Sequence, residues 1–183
     1  MRKLLVLTAA VVAFGGLVAP TAPVGAAAPY CGITWGSLAK LGGLDYTTGP
    51  ITNLRAGRHP CFDRLVIDLA TPLGPPGRPW NIQYVSRVVQ VPSARPVTIS
   101  GGAFINVTIL APDDPRYRPT YLARLHAVNV AGYSTFRQVA LLGSHEAQSQ
   151  IVIGVRARLP FRVFALSGPG SGSRIVIDVA HRW

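Results

Sequence analysis

Acidic side chains are scarce: seven Asp and Glu stand against eighteen Lys and Arg in 183 residues, for a formal net charge of +11. With so few, a glycosidase working with two carboxylates would have to use some of Asp63, Asp68, Asp178 and Glu146. The four histidines, His59, His126, His145 and His181, are scattered with no i, i+4 pair, which argues against a metal centre. No Gly-x-Ser-x-Gly elbow, phosphate loop or dinucleotide fingerprint occurs. Charged residues amount to 14% and apolar ones to 49%, which argues against a disordered tail. Helical periodicity never lasts beyond two turns after the first 26 residues. The one long apolar run, Leu4 to Val18, has 15 residues, short of the roughly 20 needed to span a bilayer.

That run follows Met1-Arg2-Lys3 and leads into Ala19-Pro20-Thr21-Ala22-Pro23-Val24-Gly25-Ala26. A positive start, an apolar stretch and a small-residue site form a secretory signal. Cleavage fits best after Ala26, with Val24 at −3, and next best after Ala27. Residues 1–26 are therefore expected to be a signal peptide, and the exported chain keeps 16 basic against 7 acidic residues, +9. Ala28-Pro29-Tyr30 before Cys31 is not a lipobox, and no later stretch is a spanning candidate.

Cys31 and Cys61 are the only cysteines. In an exported chain an even count reads as a disulfide, and two cysteines allow one connectivity. Closing a loop of about 30 residues is worth roughly 3.5 kcal/mol on the chain-entropy account.

The body reads as short strands broken by glycine and proline. Phe62–Leu69 alternates, with Leu65, Ile67 and Leu69 on one face and Arg64, Val66 and Asp68 on the other. Further strands are expected over 80–91 (bent or bulged), 97–100, 104–110, 125–130, 135–142, 150–155, 161–166 and 174–180, with a short helix possible over 37–41. The pattern predicts an all-β chain, an antiparallel sandwich or barrel. Residues 27–58 read as an irregular N-terminal extension tied by the disulfide, and 59–183 as the β domain.

Arg64-Leu65-Val66-Ile67-Asp68-Leu69-Ala70 is echoed by Arg174-Ile175-Val176-Ile177-Asp178-Val179-Ala180. As antiparallel neighbours the two strands would set Arg64 opposite Asp178, Val66 opposite Val176 and Asp68 opposite Arg174, a favourable charge arrangement. The alternative places them in equivalent positions of two pseudo-symmetric sheets. Both make Asp68 and Asp178 ion partners rather than catalysts.

Several segments together resemble the AMIN-like domain proteins secreted by actinobacteria. They are Cys31-Gly32-Ile33-Thr34-Trp35-Gly36-Ser37-Leu38, Gly57-Arg58-His59-Pro60-Cys61-Phe62-Asp63, Gly101-Gly102-Ala103, Gly143-Ser144-His145-Glu146, Gly154-Val155-Arg156-Ala157-Arg158-Leu159-Pro160-Phe161-Arg162, and the 174–181 segment. The family usually has Gly-Ser-Phe-Glu-Gly where this chain has His145 and Ala147. If the turn needs a positive φ at its last position, Ala147 is strained there. The resemblance implies an AMIN-type sandwich of two small antiparallel sheets. It also implies a non-catalytic module that holds envelope components on peptidoglycan.

Ser144-His145-Glu146 sets a hydroxyl, an imidazole and a carboxylate side by side, but neighbours on a turn point apart, so no catalytic triad is expected. A binding surface remains. Arg156, Arg158 and Arg162 share parity and would line one face if their segment is extended. Arg55, Arg58, His59 and Arg64 form a second basic group beside the disulfide. Trp35 and Tyr84 are candidates for stacking on sugar rings, and arginine suits carboxylates and phosphates through forked hydrogen bonds. The expected partner is a cell-wall polymer (peptidoglycan or an anionic polymer) or a secreted protein, with no cofactor, metal or nucleic acid.

Overall fold

A computed structural model describes residues 29–43, 49–74, 77–117 and 123–183. The expected signal peptide lies outside them. Eleven strands occur among the described residues: β1 (Lys40–Leu41), β2 (Ile51–Arg58), β3 (Phe62–Leu69), β4 (Trp80–Val85), β5 (Val89–Gln90), β6 (Arg95–Pro96), β7 (Ala103–Ile109), β8 (Phe136–His145), β9 (Gln148–Val155), β10 (Phe161–Ser167) and β11 (Ser173–Ala180). They form a five-stranded sheet in the order β1-β4-β7-β9-β8, a four-stranded sheet in the order β10-β11-β3-β2, and a ribbon of β5 and β6. Every ladder is antiparallel.

The alternation read in β3 places the layers. Leu65 and Ile67 of β3 and Ile175, Ile177 and Val179 of β11 have no exposed surface, and they share one core with Ile105, Val107, Ile151 and Ile153 of the other sheet. Each such side chain contributes roughly 1.5–3 kcal/mol of burial. Asp63, also on the inner side, is fully buried. It accepts from the backbone N–H groups of Thr135 (2.5 Å) and Phe136 (3.0 Å) and meets His181 Nε2 at 3.1 Å. This carboxylate ties β3 to the start of β8 across the layers.

The five-stranded sheet is covered on its outer side as well. Val88, Ile99, Ala140, Leu142 and Val152 make a second core beneath residues 86–100. β8 and β9 therefore read as continuous apolar runs, as strands buried on both faces do.

Cys31 and Cys61 are disulfide-bonded, with Cα atoms 6.4 Å apart. The expected β3–β11 register holds, with Arg64 opposite Asp178, Val66 opposite Val176 and Asp68 opposite Arg174. The run expected as one bent or bulged strand over 80–91 is divided, with β4 ending at Val85 and Val89–Gln90 pairing with β6 in a separate ribbon. Four expectations fail. Residues 37–41 form no helix; Lys40 and Leu41 pair with β4 instead. The extension is irregular only in part, because Ile51–Arg58 is a full strand whose Ile51 and Leu54 enter the core. Residues 97–100 join no ladder; they follow β6 and pack Ile99 against the outer side of the five-stranded sheet. Residues 125–130 open with a 3-10 turn, Arg124–His126, and plug one end of the core with Ala127, Val128 and Val130. Their link to β8 is by single bonds, such as Ala127 N–H to the Val139 carbonyl (2.8 Å), and not by a ladder.

Candidate functional site

The outward face of the four-stranded sheet carries three cross-strand rows set by register. The first reads Arg162, Asp178, Arg64, Gly57; the second Phe164, Val176, Val66, Arg55; the third Leu166, Arg174, Asp68, Asn53.

In the first row Arg64 grips Asp178 with both arms of its fork, Nε to Oδ1 at 2.6 Å and Nη2 to Oδ2 at 2.9 Å. Arg162 reaches Oδ2 from the other side at 2.8 Å. The Asp178 side chain is fully covered, while the two arginine side chains remain 24% and 33% exposed. Aromatic rings hold the guanidiniums. Arg64 lies 5.1 Å from the Phe62 centroid and 5.5 Å from that of Phe164. Arg162 lies 5.1 Å from Phe164, 5.5 Å from Phe62 and 5.6 Å from Trp35. Such contacts are worth about 0.5–1 kcal/mol each at exposed sites. The irregular segment delivers Trp35: the disulfide anchors it beside Phe62, and the indole N–H donates to the Tyr30 carbonyl at 2.9 Å. His59 stacks on Phe62 at 4.5 Å. The sheet thus ends in a cationic and aromatic cluster with one carboxylate between two arginines.

The third row departs from expectation. Asp68 stands opposite Arg174 yet is taken by Arg55 of β2, Nε to Oδ2 at 2.8 Å and Nη2 to Oδ1 at 2.7 Å. That bond is the main cause holding the Arg55 guanidinium above its ordinary pKa. The Asp68 ion pair is real, but its partner comes from the other neighbouring strand. A bulge in β2 between Ile51 and Asn53 shifts its pairing there.

Of the arginines, histidine and aromatics expected to contact a ligand, the fold brings Trp35, His59, Arg64 and Arg162 together, with Arg55 further along the same face. The rest lie elsewhere. Arg58 donates to the Gly132 carbonyl (3.1 Å) and Arg156 to that of His181. Arg158 donates to the Ser37 carbonyl at 3.3 Å and lies 4.7 Å over Tyr84. β9 ends at Val155 and β10 begins at Phe161, so Arg156, Arg158 and Arg162 line no single extended face. Tyr84 pins the turn between them: its hydroxyl donates to the Leu159 carbonyl (2.6 Å) and accepts from the Leu159 N–H (3.0 Å). Burial pushes its phenol above the ordinary value.

Sequence reasoning missed the groove at the end of the third row, where the turn over 167–173 meets Thr52, Asn53, Arg55, Asp68 and Arg174. The run Gly168-Pro169-Gly170-Ser171-Gly172 signals a turn there, but not what it faces.

The described aspartates are all engaged. Asp63, Asp68 and Asp178 serve as above, Asp113 meets Arg124 at 2.8 Å and Asp114 meets Arg116 at 2.9 Å. Glu146 lies on an exposed turn 3.8 Å from His145 Nε2. No group of three His, Cys, Asp or Glu residues able to hold a metal occurs among the described residues. No helix among them is long and apolar enough to cross a membrane.

No curated protein matches the chain. The family model of the AMIN-like domain matches residues 49–181, which takes in β2 through β11 and the three rows of the outward face but not Trp35. On that match the chain belongs to the AMIN-like domain family.

Proposed function

We propose that the protein is an exported, non-enzymatic module of the cell envelope. It binds peptidoglycan, or the anionic polymers attached to it, through the outward face of the four-stranded sheet. AMIN-like domains are binding modules found in extracellular or periplasmic proteins and suggest a role at the cell wall. The observation that carries the reading is the first row: Arg64 and Arg162 are held rigidly among Trp35, Phe62 and Phe164 with only Asp178 between them. Fixed guanidiniums meet oxyanions with little entropy left to lose, and the flanking rings offer a surface on which sugar rings can stack.

Co-sedimentation with purified peptidoglycan, bare and bearing its anionic polymers, at about 0.15 and about 0.5 M salt, tests it, because added salt shortens the screening length. Binding to bare peptidoglycan that survives the higher salt is the result expected of specific wall recognition. Binding only to the polymer-bearing material, lost in salt, narrows the ligand to the anionic polymers. Failure to bind either overturns the reading.

One observation favours a second reading, docking of a secreted protein. β10 is an edge strand whose ladder partner among the described residues, beyond the single Gly36–Phe161 bridge, is β11 alone. Leu41 (64% exposed) lies beside Val163, Phe164 and Ala165 of that edge. An extended apolar peptide segment of the partner would add to this edge. Pull-down from wall-free culture medium, lost on Leu41→Asp, is its expected result.

A further inference from the structure

The third row runs out into a groove of about 880 Å³ between β2 and the turn joining β10 to β11. Ligand sites commonly enclose roughly 300–1,000 Å³. Arg174 forms part of its wall, and no carboxylate among the described residues answers its charge. Its register partner is Asp68, but both oxygens of Asp68 are occupied by Arg55 at 2.7 and 2.8 Å. Arg174 Nη2 donates to the Ser167 carbonyl at 2.9 Å, and its Nε is buried without an acceptor. Of the five donors an arginine carries, one is thus committed to a neutral oxygen. Arg55, Asp68 and Arg174 together leave one positive charge in the groove. A partly buried guanidinium without a counter-ion is costly to keep unless an anion completes it.

The remaining walls mix hydroxyls, an amide and glycine backbone, from Thr52, Asn53, Ser167, Ser171 and the Gly168–Gly172 stretch, with the apolar side chains of Leu69, Ala70 and Pro169. They contain no aromatic ring, which disfavours recognition by stacking. They suit an oxyanion flanked by hydroxyl groups.

We infer that this groove binds the carboxylate or phosphodiester oxyanion of an anionic sugar polymer, with Arg174 gripping the oxygens through its fork. The inference rests on the reading that this face meets wall material, and it names the chemical group recognised there.

Two probes separate the two sources of the oxyanion: an oligogalacturonate for carboxylates and a glycerol phosphate oligomer for phosphodiesters. Each is titrated into the disulfide-intact, 15N-labelled protein. The expected result is amide shifts concentrated at Thr52, Asn53 and 167–174 with at least one probe. Arg174→Ala then weakens that binding by about tenfold or more, and Arg174→Lys, which keeps the charge but loses the fork, by about threefold or more. Arg95→Ala removes the same charge from the exposed β6 ribbon on the other sheet and changes affinity less than about twofold, because exposed distant charges are screened. Equal losses in Arg174→Ala and Arg95→Ala, or shifts that avoid the groove with both probes, overturn the inference.

Sedimentation with sacculi separates this failure from failure of the wall reading. Wild type and Arg174→Ala bound alike would remove the groove and leave the wall reading standing. Groove shifts with an oligomer in a protein that ignores sacculi would do the reverse.

Discussion

Asp178 sits on the outward side of its sheet and yet has no exposed surface, because two guanidiniums, themselves packed against three rings, grip it from both sides. Removing it leaves Arg64 and Arg162 facing each other. Breaking a fully buried pair costs about 3–5 kcal/mol, but these arginines keep a quarter to a third of their surface in water, so Asp178→Ala should cost about 2–3 kcal/mol. A urea transition reads this directly, and an unchanged midpoint would mean the triad adds nothing to stability. The opposite sign is expected at the β8–β9 turn. Glu146 and Ala147 both adopt positive φ, 49° and 59°, between the paired His145 and Gln148. A two-residue turn of this kind favours Asn-Gly or Asp-Gly. The left-handed region costs an L-residue roughly 1–2 kcal/mol, and glycine returns part of that through a freer unfolded chain, so Ala147→Gly should stabilise by about 0.5–1 kcal/mol. A melting temperature that falls would show the turn is held by something other than its backbone.

At the scale of elements, the excursion over residues 86–100 depends on one glycine. A Cβ on Gly154 of β9 would lie 2.0 Å from the Ser100 carbonyl oxygen and 2.8 Å from Ile99 Cγ2. Backbone cannot yield as a side chain can, so Gly154→Ala should lift the 97–100 segment off the sheet. The cost should reach the upper end of the roughly 1–3 kcal/mol typical of overpacking. Faster amide exchange at Ser100, whose N–H donates to Gln138 Oε1 of β8 (2.8 Å), checks it; unchanged protection would show the crossing tolerates the methyl group. Elements were legible where pattern and charge agreed. The alternation of β3 and β11 gave their faces, and the Arg and Asp spacing gave the register of one of the two arrangements left open, the one in which they are antiparallel neighbours. β2 was not legible because its bulge breaks the alternation and Gly57 and Asn53 dilute it. The 125–130 run was apolar for a reason other than pairing, since it fills the end of the core as a loop. The candidate site was legible only as residue types. That Trp35 would lie over Arg162, or that Arg55 would take Asp68 from Arg174, depends on neighbours that only the assembled sheet supplies.

The whole molecule is held by ties that span its parts, and two of them are tyrosine hydroxyls. Tyr84, on the five-stranded sheet, bonds Leu159 at the entry to β10. Tyr117 accepts from the Leu54 N–H of β2 at 3.1 Å. Burial is the largest cause in each case, and it pushes both phenols above their ordinary value of 10.0. The folded state therefore holds these protons where the unfolded chain has released them. The stability they confer is fully present below about pH 10, and declines as pH rises from there through the folded values. Lys40 works in the other direction, because burial lowers its pKa and its proton leaves the folded state first. Comparing wild type with the Tyr84→Phe, Tyr117→Phe double variant isolates the phenols, since Lys40 is common to both. Urea midpoints taken between about pH 8 and about pH 11.5, with phenolate absorbance recorded alongside, should fall with pH in wild type and fall less steeply in the double variant. Equal slopes would show that other groups set the alkaline limit and that these two hydroxyls tie the layers by position alone.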